Sequence, residues 1–174
     1  MNMMKKVTGA LVLVFALVSG AMAQINKVII GVDGLACPFC AYGLQKQLKR
    51  VPGIKGVKIY VDRGRAELTV AEGESVDFSA IEDAVKKGGY TPRDIWVEAT
   101  GRVEQWNGRP ALVIPENDVK FLLAENDHLR KLNDALSSRK DRSVFIAGKL
   151  DKQDSRGHHG HPYTLIIERF ELVD

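Results

Sequence analysis

Six segments of the chain alternate between strand-like and helix-like periodicity, and their order constrains the fold more than any other feature. Apolar residues rich in β-branched types form strand patterns, and apolar residues at three- and four-residue steps form helix patterns. The predicted strands lie at residues 25–32, 57–61, 65–70 and 90–97, and the predicted helices at 38–51 and 77–87. The order β-α-β-β-α-β predicts a ferredoxin-like sandwich, an α+β fold with two helices on one antiparallel sheet.

Both cysteines of the chain lie in one Cys-x-x-Cys motif, where the first predicted strand gives way to the first helix. A disulfide that closes so short a loop stabilises little, so the pair is interpreted as chemical rather than structural. Backbone N–H groups and the helix dipole can stabilise thiolate charge on Cys37 and Cys40. Two soft donors suit Cu(I) first and Hg(II) as an alternative, whereas Zn(II) prefers four ligands. Asp33 could add a carboxylate only if the loop curled back.

The motif Gly34-Leu35-Ala36-Cys37-Pro38-Phe39-Cys40 resembles the Gly-Met-x-Cys-x-x-Cys sequence of heavy-metal-associated domains. That family includes copper chaperones, mercury-binding periplasmic proteins and the termini of metal-transporting ATPases. Residues 51–54 and 88–90 also resemble family turns, and the similarity extends over residues 27–96. The resemblance implies that Cys37 and Cys40 are the metal ligands and that Leu35 takes the buried place of the methionine. It also implies that Tyr90 closes over the metal loop.

This chain departs from the family pattern at the residues between and before the cysteines. Leucine in place of methionine conserves volume and should be mild. Pro38 and Phe39 make the loop apolar and stiff. Phe39 has three interpretations at this stage: it shields the ion from water, it docks a partner, or it covers a hydrophobic edge.

The first 23 residues have the pattern of a secretory signal peptide. Lys5 and Lys6 precede an apolar run at residues 7–20, and Ala21-Met22-Ala23 offers small residues before a cleavage point. The run is short for a membrane span, so we expect cleavage, no membrane insertion afterwards, and a periplasmic or secreted protein. Without Lys5 and Lys6 the chain has 23 basic and 22 acidic residues, a net charge of +1. That balance gives no reason to expect a nucleic acid partner.

The second half, residues 97–174, is predicted to form a separate domain after a first domain at residues 24–96. Its patterns read β-β-β-α-β-β, with an Asn107-Gly108 turn and a helix capped by Asp127. This order predicts a small OB-like β-barrel. Its aromatic residues are expected to face mostly a core: Trp106, Phe121, Phe145, Tyr163 and Phe170. His128 is expected at the surface.

Three histidines lie together at positions 158, 159 and 161, between the last two predicted strands. Imidazoles can bind Cu(II), Zn(II) or Ni(II), so His158, His159 and His161 form a candidate chelating loop. The competing and preferred interpretation is a polar hairpin tip whose histidines are incidental.

The sequence therefore predicts a non-enzymatic metal-binding or metal-transfer protein, with the metal ion and a metal transporter or envelope metal-acceptor protein as partners. A related hypothesis is an adaptor whose barrel docks an envelope partner. The alternative is a thiol-disulfide redox protein that uses the same cysteines. Against it, the first domain is short for a thioredoxin-like fold, and Pro92 is the one proline in roughly the required position.

Overall fold

The computed structural model describes residues 23–137, 142–151 and 162–173. Its three helices are α1 (Pro38–Leu48), α2 (Phe78–Lys87) and α3 (Asp127–Leu136). Its eight strands are β1 (Gln24–Asp33), β2 (Ile54–Tyr60), β3 (Arg65–Val70), β4 (Thr91–Trp106), β5 (Arg109–Ile114), β6 (Val119–Leu123), β7 (Ser143–Leu150) and β8 (Tyr163–Val173). Short 3₁₀ turns occupy Val61–Arg63 and Pro115–Asn117. No helix within the described ranges has the length and apolar character needed to cross a membrane.

The first half of the chain forms the predicted ferredoxin-like sandwich. Strands β2, β3, β1 and β4 lie in that order and pair antiparallel. The buried residues of β1 are Ile25, Val28, Ile30 and Val32, which alternate after an irregularity between Ile25 and Lys27. They pack with the apolar faces of α1 and α2, which contribute Leu44, Leu48, Phe78, Ile81 and Val85. The opposite face of the sheet carries half-buried and exposed residues, so the helices cover one face only.

Strand β4 is a single element where the sequence suggested two. It continues from Thr91 to Trp106, and residues 96–100 pair with β1 on one side and with β7 on the other. The expected boundary between residues 96 and 97 therefore lies inside a strand. The two halves of the chain share this strand, and one eight-stranded sheet runs through both.

The second half closes into a five-stranded barrel. Strands follow the order β4-β5-β6-β8-β7, and β7 returns to pair with β4. All neighbours are antiparallel except β6 and β8, which run parallel. Because a parallel pair cannot be joined by a tight hairpin, α3 and β7 both lie between these strands in the sequence. The Asn107-Gly108 turn is confirmed, since both residues have the positive φ of a two-residue hairpin.

One continuous core fills the space between the helices and the barrel. Phe78 of α2 contacts Phe121 of β6 and Tyr163 of β8 edge-on, with ring centroids 6.0 and 4.8 Å apart. Phe121 is fully buried, and Tyr163 and Phe170 pack against the core. The expectation was wrong for Phe145, which alternates with the buried residues of β7 and lies on the outer wall. Trp106 is half-buried near the hairpin tip.

Two helix starts show how local sequence sets the element bounds. Asp77 caps α2, since its side chain accepts a hydrogen bond from the Ser79 N–H at 2.9 Å. For α3 the predicted cap is wrong by one residue. Asn126, not Asp127, accepts from the Leu129 N–H at 2.9 Å, and its amide also donates to the Ile167 carbonyl at 2.8 Å. This second bond ties the start of α3 to β8, which a local sequence pattern does not reveal.

Candidate metal-binding site

The loop between β1 and α1 places both cysteines at the start of a helix. Gly34 turns the chain with φ +89°, a backbone conformation that favours glycine. Cys37 is the N-cap residue, and its Sγ accepts a hydrogen bond from the Cys40 N–H at 3.2 Å. Cys40 lies in the first turn, where backbone N–H groups have no partner within the helix. The end of α1 that stabilises negative charge therefore faces the sulfur atoms.

The two sulfur atoms are joined as a disulfide in this structure, and the Cα atoms of Cys37 and Cys40 are 5.4 Å apart. Cys37 is half-buried and Cys40 is exposed. The bond shows that both side chains point to one place. In the reduced state the same backbone would present two thiols to a single ion, so the donor set fits a soft cation.

Leu35 anchors the metal loop to the hydrophobic core. Only 8% of its surface is exposed, and it belongs to the core formed by α1, α2 and the sheet. The predicted buried place of this side chain is confirmed.

Tyr90 lies beside the loop, on the short connection between α2 and β4. A Cβ atom on Gly34 would lie 3.7 Å from Tyr90 Cδ1, and one on Gly88 would lie 3.2 Å from Cδ2. The ring therefore packs next to two glycines, and it is half-buried against the core. This position is the one that the sequence predicted, while the role of Tyr90 toward a bound metal stays a prediction.

Asp33 is engaged away from the cysteines. Its Oδ2 is 2.9 Å from Arg93 Nη1 across the β1–β4 pair. The hydrogen bond that Arg93 donates to Asp33, and then the charge of Asp33, raises the pKa of Arg93. The carboxylate is thus directed along the sheet, as expected for a residue on the strand side.

Two aromatic side chains next to the cysteines are strongly exposed. Phe39 is 93% exposed and Tyr42 is 72% exposed. A side chain that exposed covers neither the sulfur atoms nor a hydrophobic edge, and the docking interpretation of Phe39 stays a prediction. Tyr42 was not among the predicted site residues, although its position opposite the buried Leu44 and Leu48 on a helix indicates exposure.

Within the described part of the chain, no further candidate ligand joins the two cysteines. Among the described residues no group of three or more His, Cys, Asp or Glu side chains could hold a metal. His128 is half-buried at the start of α3 rather than fully exposed. His158, His159 and His161 lie outside the described residues.

Comparison with known proteins finds relatives of part of this chain. No family model matches the chain. An uncharacterized protein of Haemophilus influenzae is 33% identical over 89 residues, which are 51% of this chain and 95% of that protein. Copper-transporting ATPase 1 of Rhizobium meliloti is 34% identical over 70 residues, which are 38% of this chain. The similarity to copper ATPases supports a heavy-metal-associated domain within this chain.

Three further proteins match a similar share of this chain, 39–40% of its residues. The copper-exporting P-type ATPase of Mycobacterium tuberculosis is 28% identical over 68 residues, which are 39% of this chain. The matched stretch spans 8% of each of the two ATPases. Among solved structures, the CopZ metallochaperone has a TM-score of 0.36 and 19% identity, covering 39% of this chain and all of its own. The zinc-bound N-terminal domain of ZntA has a TM-score of 0.36 and 18% identity, covering 40% of this chain and 92% of its own.

Proposed function

We propose that this heavy-metal-associated domain binds a soft metal ion, Cu(I) before Hg(II) or Zn(II), through the reduced thiols of Cys37 and Cys40. The observation that carries the proposal is the convergence of both sulfur atoms at the N-terminus of α1. Two thiolates satisfy the low coordination number that Cu(I) accepts, whereas Zn(II) would need further ligands from a partner or solvent. The relatives named as copper ATPases support copper over the other ions.

Exposure of the site supports transfer of the ion as cargo rather than permanent storage. Cys40 is exposed, so a thiol of a second protein could bind the ion before Cys37 or Cys40 dissociates from it. Phe39 and Tyr42 offer an apolar surface next to the sulfur atoms, where a partner would make contact. We therefore propose a non-enzymatic metal carrier whose partner is a metal transporter or another metal-acceptor protein.

Two further features belong to the same proposal. The pattern at residues 1–23 supports export to the periplasm or outside the cell, where thiols tend to oxidise. The barrel is proposed to be OB-like, because its closed strand order and the parallel pair of its third and fifth strands match that architecture.

The decisive experiment is Cu(I) uptake by the reduced protein against a colorimetric Cu(I) chelator. We expect one Cu(I) per chain, and we expect Cys37→Ser and Cys40→Ser each to lose tight binding. Asp33→Asn is the matched control: it removes a neighbouring charge that is engaged with Arg93, so binding should persist. Unchanged affinity in both serine variants would end the proposal.

The disulfide also supports a second candidate, a thiol-disulfide redox protein. In that role one thiolate would attack a substrate disulfide, and the other would displace the reduced substrate and close the Cys37–Cys40 bond. Insulin reduction with dithiothreitol as electron donor discriminates the two functions. Turnover above the dithiothreitol background that is lost in Cys37→Ser would favour the redox role over metal transfer.

A further inference from the structure

A cleft of about 510 Å³ lies on the opposite side of the sheet from the helices. It forms where the uncovered face of the first sheet meets the outer wall of the barrel, because β4 belongs to both. We call it the junction cleft and define it by Ile29, Arg65, Trp96, Ala147, Glu168 and Arg169. Its volume falls in the range of small-molecule sites in proteins.

A β-bulge gives the cleft one of its walls. Ala147 pairs with Arg169, but Gly148 pairs with Ile167, so Glu168 is an extra residue in β8. The bulge brings both Glu168 and Arg169 to the cleft. Gly148 permits this geometry, since a Cβ atom there would collide with the Ile166 carbonyl oxygen. This wall of the cleft therefore requires glycine at position 148.

Three guanidinium groups line the cleft: Arg63 and Arg65, which lie close together in the chain, before and at the start of β3, and Arg169 of β8. Each has a neighbour, and for Arg63 it is Asp62, whose Oδ2 is 3.6 Å from Nε. Arg65 Nη2 is 2.8 Å from Glu67 Oε1, and Arg169 lies 5.3 Å above the Phe145 ring with Nη1 3.3 Å from Glu171 Oε1. Arg65 Nε is buried and has no hydrogen-bond partner among the described residues. Because this atom has almost no accessible surface, a ligand would contact the terminal nitrogens of Arg65, whose side chain is 33% exposed.

The two carboxylates of the cleft already have partners. Glu98 Oε2 is 3.3 Å from Lys27 Nζ, and Glu168 Oε1 accepts a hydrogen bond from Trp96 Nε1 at 3.2 Å. The second bond also fixes the indole ring, which is half-buried beside the apolar Ile29 and Ala147. The cleft thus combines a flat apolar surface with guanidinium groups and carboxylates that each have a polar neighbour, and a ligand carboxylate would share the guanidinium groups with Glu67 and Glu171.

We propose that the junction cleft binds a small organic carboxylate with a flat apolar body. The guanidinium of Arg65, aided by Arg169, would hold the carboxylate, and Trp96 with Ile29 would contact the body. The site is separate from Cys37 and Cys40. Its test can therefore fail without affecting the proposed metal binding, and the reverse also holds.

The test uses the fluorescence of Trp96 in the full mature chain. The protein has two tryptophans, so Trp106→Phe leaves Trp96 as the reporter. Phenylacetate should change the emission saturably, with half-saturation at or below about 1 mM. Acetate lacks the apolar body and phenethylamine reverses the charge, so each should bind at least about tenfold more weakly.

Variants in the same background locate the site. Arg65→Gln and Arg169→Gln should each weaken phenylacetate binding about tenfold, because each removes a charge-assisted hydrogen bond. Arg102→Gln is the matched control, an exposed arginine of β4 outside the cleft. Thermal melts verify that each variant is folded. If Arg65→Gln unfolds, the affinity of Arg169→Gln for phenylacetate decides the test, because Arg169 is more exposed than Arg65. An absence of saturable change with phenylacetate, or equal affinity in the folded variants, overturns the proposal.

Discussion

At the scale of single residues, the cysteine motif could be predicted because its chemistry is local. Cys37 at the N-cap and Cys40 in the first turn follow from a strand, a glycine and a proline in immediate succession. The buried anchor Leu35 was also predictable, through its place in the motif. The strong exposure of Tyr42 was not predicted, although its position opposite Leu44 and Leu48 on α1 indicates it.

Leu35 offers a test of how the metal loop is held. We expect Leu35→Ala to lower the free energy of unfolding by about 2 kcal/mol, because it leaves a cavity beneath the loop. Leu35→Met, the matched control, conserves volume and should cost less than about 1.5 kcal/mol. Urea unfolding followed by far-UV circular dichroism measures both. Equal stability of the alanine variant and the parent would show that the loop is held by other contacts.

At the scale of elements, two glycines with opposite surroundings decide how α1 and β4 are built. Gly43 lies mid-helix in α1, and a Cβ atom there would meet nothing within 4 Å. Gly101 is buried in β4, and a Cβ atom there would collide with the Val113 carbonyl oxygen. Gly101 lies where β4 passes from its pairing with β7 into its pairing with β5, so glycine permits the close approach there.

The same substitution should therefore have opposite effects at the two positions. Gly43→Ala should stabilise the protein by about 0.5–1 kcal/mol, because alanine has the higher helix propensity and fits without a clash. Gly101→Ala should destabilise it, by more than about 1 kcal/mol, because backbone must move. Melting temperatures at matched protein concentration measure both. A loss of stability in Gly43→Ala would indicate that α1 is bent or packed differently from the structure.

At the scale of the whole molecule, the shared strand and the continuous core make the two halves one structural unit. Residues 96–100 of β4 complete the first sheet and the barrel together. Phe78 carries the core of the first half onto Phe121 and Tyr163. A disturbance in the barrel core should therefore reach α1.

Phe121→Leu tests this coupling. Loss of buried ring contacts should lower the free energy of unfolding by about 1–2 kcal/mol, and the variant should still unfold in a single cooperative transition. Tryptophan fluorescence reports β4, and amide hydrogen exchange reports α1; both should shift by the same free energy. Phe145→Leu is the control, since Phe145 lies on the outer wall and should change little. Unchanged protection of α1 in Phe121→Leu would show that the halves unfold independently.

The sequence by itself determined the strand and helix order, the cysteine pair, the Asn107-Gly108 turn and the Leu35 anchor. The Leu35 anchor was implied by the resemblance of its motif to a family, and the other features depend on periodicity and on residues close together in the chain. The tertiary structure decided the continuity of β4, the outward position of Phe145 and the Asn126 cap. It also decided the grouping of Arg63, Arg65 and Arg169 around Trp96, which are brought together by strand pairing and a bulge. Pairing across up to about 100 residues is set by the global balance of burial and chain entropy, which no local pattern encodes.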